Sequence, residues 1–246
     1  MAQDRALITD PLGRAFRMLS AEVAELGFCP PVSTVYNPLD YAWTPFERYL
    51  KLGAREGQQV LLLGMNPGPW GMAQTGVPFG SPGVVREWLG IEEAVQKPAV
   101  EHPSRPVLGF DSPREEVSGN RLWGWARERF TTPQRFFDRF FIANYCPLVF
   151  MEDTGRNRTP DKLPAAERRS LFSACDRALE EVVRVLRPVQ IVGIGKFAED
   201  RARAIFGARD IPVGRILHPS PASPVANRGW APQAERQLLE LGVGLQ

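Results

Sequence analysis

Residues 58–80 decide the fold, and they read QQVLLLGMNPGPWGMAQTGVPFG. The apolar start, Val60–Leu63, is short and bounded by Gly and Pro, as is typical of a strand buried on both faces of a parallel sheet. An Asn-Pro and a Gly-Pro pair then end the strand, because proline lacks a backbone N–H and restricts the residue before it. The following loop is too apolar for a solvated linker. We expect it to line a pocket at the carboxyl end of a strand, where open α/β sheets bind ligands.

The glycines of this loop exclude the common phosphate-binding motifs. Gly64, Gly68 and Gly71 do not form G-x-G-x-x-G, and no Gly-Lys-Ser/Thr sequence follows them. Asn66 is the polar side chain at the strand end, and it has two interpretations. It can close the corner as an Asx turn, which is the more common use of an Asn-Pro pair, or its amide can face a ligand.

The composition limits the class of protein. The 246 residues are 43% hydrophobic and 24% charged and contain no linker-like stretch, which predicts one domain spanning residues 1–246. A formal net charge of +2 permits nucleic acid as a partner but does not require it. The 3 cysteines and 2 histidines lack the spacing of a zinc site or an iron–sulfur cluster, so we expect no metal and no cofactor.

The N-terminus and the cysteines indicate the compartment. The first ten residues lack the apolar region of a signal peptide, and no run reaches the length of a membrane span. An odd number of scattered cysteines without C-x-x-C favours a reducing environment. We expect an intracellular protein, in the cytoplasm or nucleoid if bacterial, that is a monomer and does not bind membranes.

Apolar runs alternate with helical periodicities along the rest of the chain. Further strands are predicted at Phe140–Phe150, Pro188–Gly195 and Gly214–His218. Helices are predicted at 11–26, Tyr41–Leu52, Ser81–Leu89, Asn120–Phe130, Ala165–Leu186, Phe197–Phe206 and Trp230–Leu241. Strands separated by helices need crossover connections, so we expect an α/β fold with a parallel sheet and helices on both faces.

Polar residues occur at the ends of the predicted strands. Asn66 and His218 each stand where a strand breaks at a proline, and Asn144 interrupts an otherwise apolar run. Each residue alone fits a structural role, since a buried amide must find partners or cost about 1–3 kcal/mol. The carboxyl ends of neighbouring parallel strands converge, however, which favours one joint site.

Charged segments outside the strands carry weaker signals. The polar loop 151–164 contains Arg156 and Arg158, for which a solvated loop is the default interpretation and a phosphate-facing loop the alternative. Glu115-Glu116 could form a catalytic carboxylate pair, but we favour a solvated charged turn.

Two longer motifs in the chain resemble those of a known family. Residues 64–69 (GMNPGP), running through 76–80 (GVPFG), are similar to the first motif of the single-strand-selective monofunctional uracil-DNA glycosylases, a branch of the uracil-DNA glycosylase superfamily. Residues 218–221 (HPSP) are similar to the second motif. Shorter family-like stretches are Tyr36-Asn37-Pro38, Arg105–Gly109, Glu116–Gly119, Asn144–Leu148 and Ala226–Trp230. The resemblance covers nearly the whole chain in order.

The resemblance implies a four-stranded parallel sheet flanked by helices. It also implies hydrolysis of the N-glycosidic bond of deoxyuridine in DNA, without cofactor, metal or lyase activity. By motif position, Asn66 is similar to the residue that positions the attacking water, and His218 to the residue that stabilises the departing base. Phe79 is similar to the aromatic that stacks on uracil, and Asn144 to the amide that reads it. Residues 219–229 resemble a wedge that enters the duplex.

The DNA-binding residues expected from the resemblance and the loop charges lie in two segments. They are Pro219, Ser220, Pro221, Asn227 and Arg228 in the wedge, with Arg156 and Arg158 in the loop. Ala222 departs from the family branch, in which this position carries Arg. Because Ala cannot reach a base or a phosphate, the strength of the wedge on double-stranded DNA is open, and both strand states remain candidate partners.

Met65 and Gly68 complete the expected substrate pocket. In the main uracil-specific branch of the superfamily the motif position of Gly68 carries a Tyr beside C5 of the base. Gly68 lacks a side chain and should leave room for a water or a polar substituent, so we expect removal of 5-hydroxymethyluracil as well as uracil. The alternative is that Gly68 serves only a positive φ in the turn.

The side chains of Asn144, His218 and Asn66 are chemically suited to binding uracil and hydrolysing its N-glycosidic bond. An amide complements the N3–H donor and O4 acceptor of uracil, a neutral His can donate to the departing anion, and an Asn can orient water without deprotonating it. A second hypothesis is a non-catalytic single-stranded DNA-binding protein with the same pocket. A glycosylase leaves an abasic site that alkali cleaves, whereas a binder leaves the oligonucleotide intact.

Overall fold

Two sheets organise the protein. The computed structural model describes residues 2–58 and 60–245. The strands of this part are β1 (Val32–Tyr36), β2 (Val60–Gly64), β3 (Phe140–Asn144), β4 (Val149–Glu152), β5 (Asn157–Arg158), β6 (Gln190–Ile194) and β7 (Val213–Ile216). Four of them form a parallel sheet in the order β3-β2-β6-β7, which confirms the predicted four-stranded parallel sheet.

Helices connect the strands. The longer ones are α1 (Ala2–Ala24), α3 (Trp43–Gly53), α6 (Val117–Phe130), α8 (Ala165–Leu186), α9 (Lys196–Phe206) and α11 (Trp230–Glu240). The short ones are α2 (Pro38–Tyr41), α4 (Met72–Thr75), α5 (Pro82–Val84), α7 (Pro133–Phe137) and α10 (Pro224–Asn227), with a π-helical turn at Val85–Leu89 and 3₁₀ turns at Gly109–Asp111 and Pro160–Lys162. No helix of the described residues is long and apolar enough to cross a membrane.

Strand β2 is covered on both faces. It lies between β3 and β6, and Val60, Leu61, Leu62 and Leu63 are each 0% exposed. Because successive side chains of a strand point to opposite faces, apolar groups cover the sheet above and below this strand. The short apolar run therefore has the double burial predicted from its sequence.

The register of the parallel sheet brings polar residues to one edge. Gly64 at the end of β2 is opposite Asn144 at the end of β3. Strand β7 ends at Ile216, beside the end of β6. Asn66 and His218 each follow the last residue of their strand by two positions. The carboxyl edge of the sheet thus holds the three strand-end residues that the sequence singles out.

The small antiparallel sheet is absent from the predictions. Its order is β1-β4-β5, and it corrects two sequence-based assignments. The run Phe140–Phe150 is not one strand, because Pro147 cannot donate to the ladder and the chain leaves the parallel sheet before β4 begins. The loop 151–164 also contains strand β5. Pairing of β1 with β4 joins segments more than a hundred residues apart, for which local sequence patterns carry no signal.

Candidate active site

A cavity of about 360 Å³ opens at the carboxyl edge of the parallel sheet. This volume lies in the range of small-molecule sites. The predicted catalytic and substrate-binding residues all line it, and they are Met65, Asn66, Gly68, Phe79, Asn144 and His218. Of the predicted DNA-binding residues, Ser220 and Pro221 also line the cavity. The sheet register therefore assembles the joint site expected from convergent strand ends.

The Asn66 amide is oriented by the backbone. Its Nδ2 donates to the carbonyl of Leu148 at 3.1 Å and to that of Pro67 at 3.2 Å. Within the described residues no donor reaches Oδ1, so the Asx-turn interpretation is wrong. With Nδ2 engaged, Oδ1 is the group that this amide can offer to a water or a ligand.

The Asn144 amide contains a buried oxygen without a partner. Its Nδ2 donates to Sδ of Met72 at 3.3 Å, and sulfur is a weak acceptor. Its Oδ1 is buried and has no hydrogen-bond partner in the described chain. Such an oxygen costs about 1–3 kcal/mol. A ligand that donates a hydrogen bond at this point would remove that cost.

Gly64 allows Phe79 and Asn144 to approach each other. A Cβ on Gly64 would lie 2.6 Å from Cε2 of Phe79 and closer still to Oδ1 of Asn144. Any larger residue at this position would therefore displace the aromatic ring or the amide. The close approach of Phe79 and Asn144 to the backbone therefore requires a glycine at the last position of β2.

Phe79 has a strained backbone that its neighbours hold in place. Its φ is +57°, a value that a bulky residue rarely adopts. Oγ1 of Thr75 donates to the carbonyl of Gly80 at 2.8 Å, and Nε1 of Trp123 donates to that of Pro78 at 3.1 Å. Such strain costs of order 1–3 kcal/mol and is typical of functional sites.

His218 is a neutral imidazole at the pocket wall. Burial lowers the pKa of His218 to about 4, because a charged ring would lose its hydration. Its ring centroid lies 6.1 Å from that of Phe79. Within the described residues the ring has no hydrogen-bond partner, so a ring N–H is available to a ligand. The other histidine, His102, contacts backbone carbonyls of the small sheet through Nε2 and has a structural role.

The wedge, residues 219–229, is fixed by an arginine that the sequence analysis missed. Nη1 of Arg121 donates to the carbonyls of Pro219 at 3.2 Å and Ser220 at 3.3 Å, and Nη2 donates to Oδ1 of Asn227 at 2.8 Å. Nδ2 of Asn227 donates to the carbonyl of Pro221 at 2.9 Å. Asn227 thus pins the wedge with both ends of its amide, and its predicted contact with DNA would have to replace these bonds.

The three arginines predicted to contact phosphates have different surroundings. Arg156 and Arg228 are exposed, and no side chain or carbonyl in the described chain pairs with either guanidinium. Arg158 donates instead to Glu152 at 2.9 Å and to the carbonyl of Lys162 at 2.8 Å. The guanidinium of Arg158 therefore stabilises its own loop, whereas the other two are available to an anionic partner.

Glu116 corrects the interpretation of the acidic pair. Glu115 is exposed, but Glu116 lines the cavity, so this pair is not a solvated turn. Burial raises the pKa of the Glu116 carboxyl, against a hydrogen bond from the Trp70 backbone N–H that lowers it. A Cβ on Gly68 would lie 2.9 Å from Cδ of Glu116 and closer still to Oε2. Gly68 does not have a positive φ, so the backbone explanation of this glycine is wrong.

Potential metal ligands do not cluster in the described part of the chain. Among residues 2–58 and 60–245, no group of three or more His, Cys, Asp or Glu side chains converges as metal ligands would. The pocket is lined by amide, imidazole, carboxyl and aromatic groups.

Comparisons with known proteins agree with this architecture. The family model for the uracil DNA glycosylase superfamily matches residues 50–239. The crystal structure of wild-type SMUG2 from Pedobacter heparinus superposes with a TM-score of 0.67 over 96% of this chain and 97% of that chain, at 14% identity. The fold and the site at the carboxyl edge thus define a member of the uracil-DNA glycosylase superfamily.

The family within the superfamily follows from the sequence relatives. Proteins called single-strand selective monofunctional uracil-DNA glycosylase are 51% identical in Rattus norvegicus, 50% in Mus musculus and 48% in Bos taurus. Each match covers 92% of this chain and 81–84% of the relative. The chain belongs to the single-strand-selective monofunctional uracil-DNA glycosylase family.

Proposed function

We propose that this monofunctional uracil-DNA glycosylase takes uracil, and also 5-hydroxymethyluracil, out of DNA and hydrolyses the N-glycosidic bond to leave an abasic site. The observation that carries the proposal is the buried, unpartnered Oδ1 of Asn144 in a cavity that also holds an aromatic ring and a neutral imidazole. These are the groups that binding an extrahelical pyrimidine and stabilising its departure require.

Asn144 reads the base. Uracil presents N3–H beside O4, and the amide offers Oδ1 and Nδ2 as the complementary acceptor and donor. Cytosine has this donor and acceptor reversed, so a fixed amide rejects it. Nδ2 already points to Met72, which fixes the orientation of the amide before the base enters.

Phe79 supplies the surface on which the base stacks. Removing a base from the stack costs a few kcal/mol, and stacking on an aromatic side chain returns about 1–3 kcal/mol. Because Thr75 and Trp123 already hold the Phe79 loop, the ring needs no rearrangement when the base arrives. The cost of base flipping is smallest for a nucleotide that is already unpaired.

His218 and Asn66 assist cleavage of the N-glycosidic bond. As N1–C1′ breaks, its electron pair leaves with uracil, and positive charge develops on the sugar. A neutral imidazole N–H donates to O2 of the departing anion, a contribution of about 2.7–4 kcal/mol for one preorganised donor. Oδ1 of Asn66 orients a water whose oxygen bonds to C1′, while the released proton passes to solvent.

The wedge and the exposed arginines contact the strand. Arg156 directly precedes Asn157, which lines the cavity, so its guanidinium can reach a phosphate beside the flipped nucleotide. Ala222 and Arg228 are exposed on the wedge. A small Ala222 cannot fill the gap that a flipped base leaves in a duplex, so we infer a preference for single-stranded DNA. One chain supplies both pocket and wedge, so we further infer that the enzyme acts as a monomer.

Alkaline cleavage of labelled oligonucleotides tests this function. Oligonucleotides carry one uracil, 5-hydroxymethyluracil, hypoxanthine or xanthine, in single strands and in duplexes. We expect cleavage at uracil and 5-hydroxymethyluracil, faster in single strands, and little at a matched thymine. Asn66→Ala serves as the inactive control. Retention of intact oligonucleotide by the wild type, without abasic sites, would instead support a non-catalytic single-stranded DNA-binding protein.

A further inference from the structure

We propose that Glu116 selects the C5 substituent of the base: its carboxyl group forms the pocket wall beside C5 and accepts a hydrogen bond from a 5-hydroxymethyl group. The inference rests on the proposed function, because it uses the orientation of the base given there. It adds a specificity-determining residue from outside the motif loop and the strand ends.

Two glycines of the motif loop make room for the Glu116 side chain. A Cβ on Gly68 would lie 2.9 Å from Cδ of Glu116 and closer still to Oε2. A Cβ on Gly71 would lie 3.0 Å from Cγ of the same residue. Methylene and carboxyl groups thus fill the space beside both glycines. The absence of side chains in this part of the loop admits a carboxyl group to the cavity, where Glu116 is one of the lining residues.

The order of groups around the pocket places Glu116 next to C5. In the proposed orientation His218 faces O2, and Asn144 faces N3–H and O4. Met72 contacts Asn144, and its chain neighbour Gly71 packs against Glu116. This segment therefore links the Asn144 amide to the Glu116 carboxyl along the pocket wall. The next position around the pyrimidine ring after C4 is C5, so the carboxyl and a C5 substituent share one side of the pocket.

The backbone holds Glu116 in this position. Its N–H donates to Oγ of Ser81 at 3.2 Å, which ties it to the loop that carries Phe79. Its carboxyl accepts a hydrogen bond from the Trp70 backbone N–H. The residue directly precedes helix α6, which begins at Val117. Because one segment holds the Glu116 backbone and another holds its carboxyl, the side chain keeps its direction and can distinguish one substituent from another.

The chemistry of a carboxyl group suits a hydroxymethyl substituent. The hydroxyl of 5-hydroxymethyluracil donates a hydrogen bond to it, and uracil leaves space for a water that does the same. The methyl of thymine would displace that water and leave a polar group without a partner, which sites of this kind reject strongly. Burial raises the pKa of the Glu116 carboxyl. Either protonation state keeps an acceptor oxygen.

Substitutions at Glu116 test the proposal. Single-turnover rates are measured on single strands that carry 5-hydroxymethyluracil, uracil or thymine. Glu116→Met removes the acceptor at similar volume, and we expect the ratio of 5-hydroxymethyluracil to uracil cleavage to fall at least tenfold. Glu116→Gln keeps an acceptor oxygen, so its ratio should fall less than threefold. Glu115→Gln is the matched control, since Glu115 is the exposed neighbour, and both rates should match the wild type.

A second variant covers the case in which Glu116→Met does not fold, which thermal unfolding would reveal. Gly68→Ala places a methyl against the carboxyl, and we expect it to lower the same ratio at least fivefold by moving Glu116. A ratio within twofold of the wild type in folded Glu116→Met or folded Gly68→Ala would overturn the proposal. So would an equal loss above a hundredfold on both bases with Glu116→Gln, which would make the carboxyl a catalytic base. If the wild type cleaves no uracil, the proposed function itself fails, whatever the ratio.

Discussion

The Arg121 guanidinium donates a hydrogen bond of 2.8 Å to Oδ1 of Asn227, and through it helix α6 holds the wedge. The same guanidinium reaches the carbonyl of Ser220, which lines the cavity. One arginine therefore joins the wall of the pocket to the wedge, the segment proposed to face DNA.

Removing this arginine should slow the enzyme on DNA. A hydrogen bond to a charged group contributes about 1.5–3 kcal/mol, so Arg121→Ala should slow single-turnover cleavage of uracil by about tenfold or more. Arg127→Ala is the control, because Arg127 is exposed on the same helix. Its ion pair with Glu87 is long, at 4.0 Å. Equal rates for the two variants would show that the wedge keeps its shape without Arg121.

Asn66→Ala should separate turnover from binding. Oδ1 of Asn66 is expected to orient the water, which matters more in the transition state than in the ground state. Single-turnover rates should fall by two orders of magnitude or more, about the size of a lost positioning contact, while gel-shift affinity for a uracil-containing strand stays within a few fold. Unchanged turnover would exclude Asn66 from catalysis.

His218→Ala should slow cleavage by roughly 10²–10³, the usual effect of losing one anion-stabilising donor. Because the pKa of His218 is lowered to about 4, the imidazole stays neutral from mildly acidic to alkaline pH. The wild-type rate should therefore change little between about pH 6 and pH 9 through this residue. A steep loss over that interval would instead indicate a catalytic imidazolium.

The same lowered pKa predicts a pH dependence of stability. In the unfolded chain His218 takes up a proton near its ordinary pKa of about 6.5, whereas the folded protein resists it until about pH 4. The unfolded state then binds more protons between these values, so the free energy of unfolding falls as the pH drops through that window. Urea unfolding at both ends of the window should show a smaller fall for His218→Gln than for the wild type.

Salt should weaken binding through the exposed arginines. Each phosphate contact that is lost flattens the slope of log K against log salt by about one unit, and we expect this for Arg228→Ala and for Arg156→Ala. Arg187→Ala is the control, because Arg187 follows the end of α8 and lies before the first residue of β6, at the opposite edge of the sheet from the cavity. A slope that both variants leave unchanged would place these arginines away from DNA.

Arg158→Ala should mainly lower the free energy of unfolding, because the Arg158 guanidinium holds its own loop through Glu152 and the carbonyl of Lys162.

Part of the site could be predicted from the sequence. The strand that ends at Gly64 and the polar residues after neighbouring strands are local patterns, and convergence of parallel strand ends follows from topology alone. Arg121 and Glu116 could not be predicted in this way. Arg121 meets Asn227 across 106 positions of the chain, and Glu116 enters the cavity only because two loop glycines leave room for it. The contacts of Arg121 depend on packing between helix α6 and the wedge, and those of Glu116 on packing between the start of this helix and the motif loop.

The antiparallel sheet was missed for a related reason. Tyr36 of β1 pairs with Val149 of β4. Strand β1 has no long apolar run, and Val149 and Phe150 of β4 belong to the run 140–150 that the sequence assigns to a single strand. Helix α6 also begins at Val117, three residues before the predicted start at Asn120. Ends of elements depend on tertiary contacts, such as the bond from the Glu116 backbone to Ser81.

The unpartnered oxygen of Asn144 also affects what happens after the bond has broken. Free uracil carries the same N3–H as the nucleotide, so the contact proposed to select the substrate should also retain the released base. The empty pocket regains its unsatisfied oxygen each time the base departs, which opposes product release. We therefore expect the exit of the base to limit steady-state turnover, and free uracil in solution to compete with the next damaged strand.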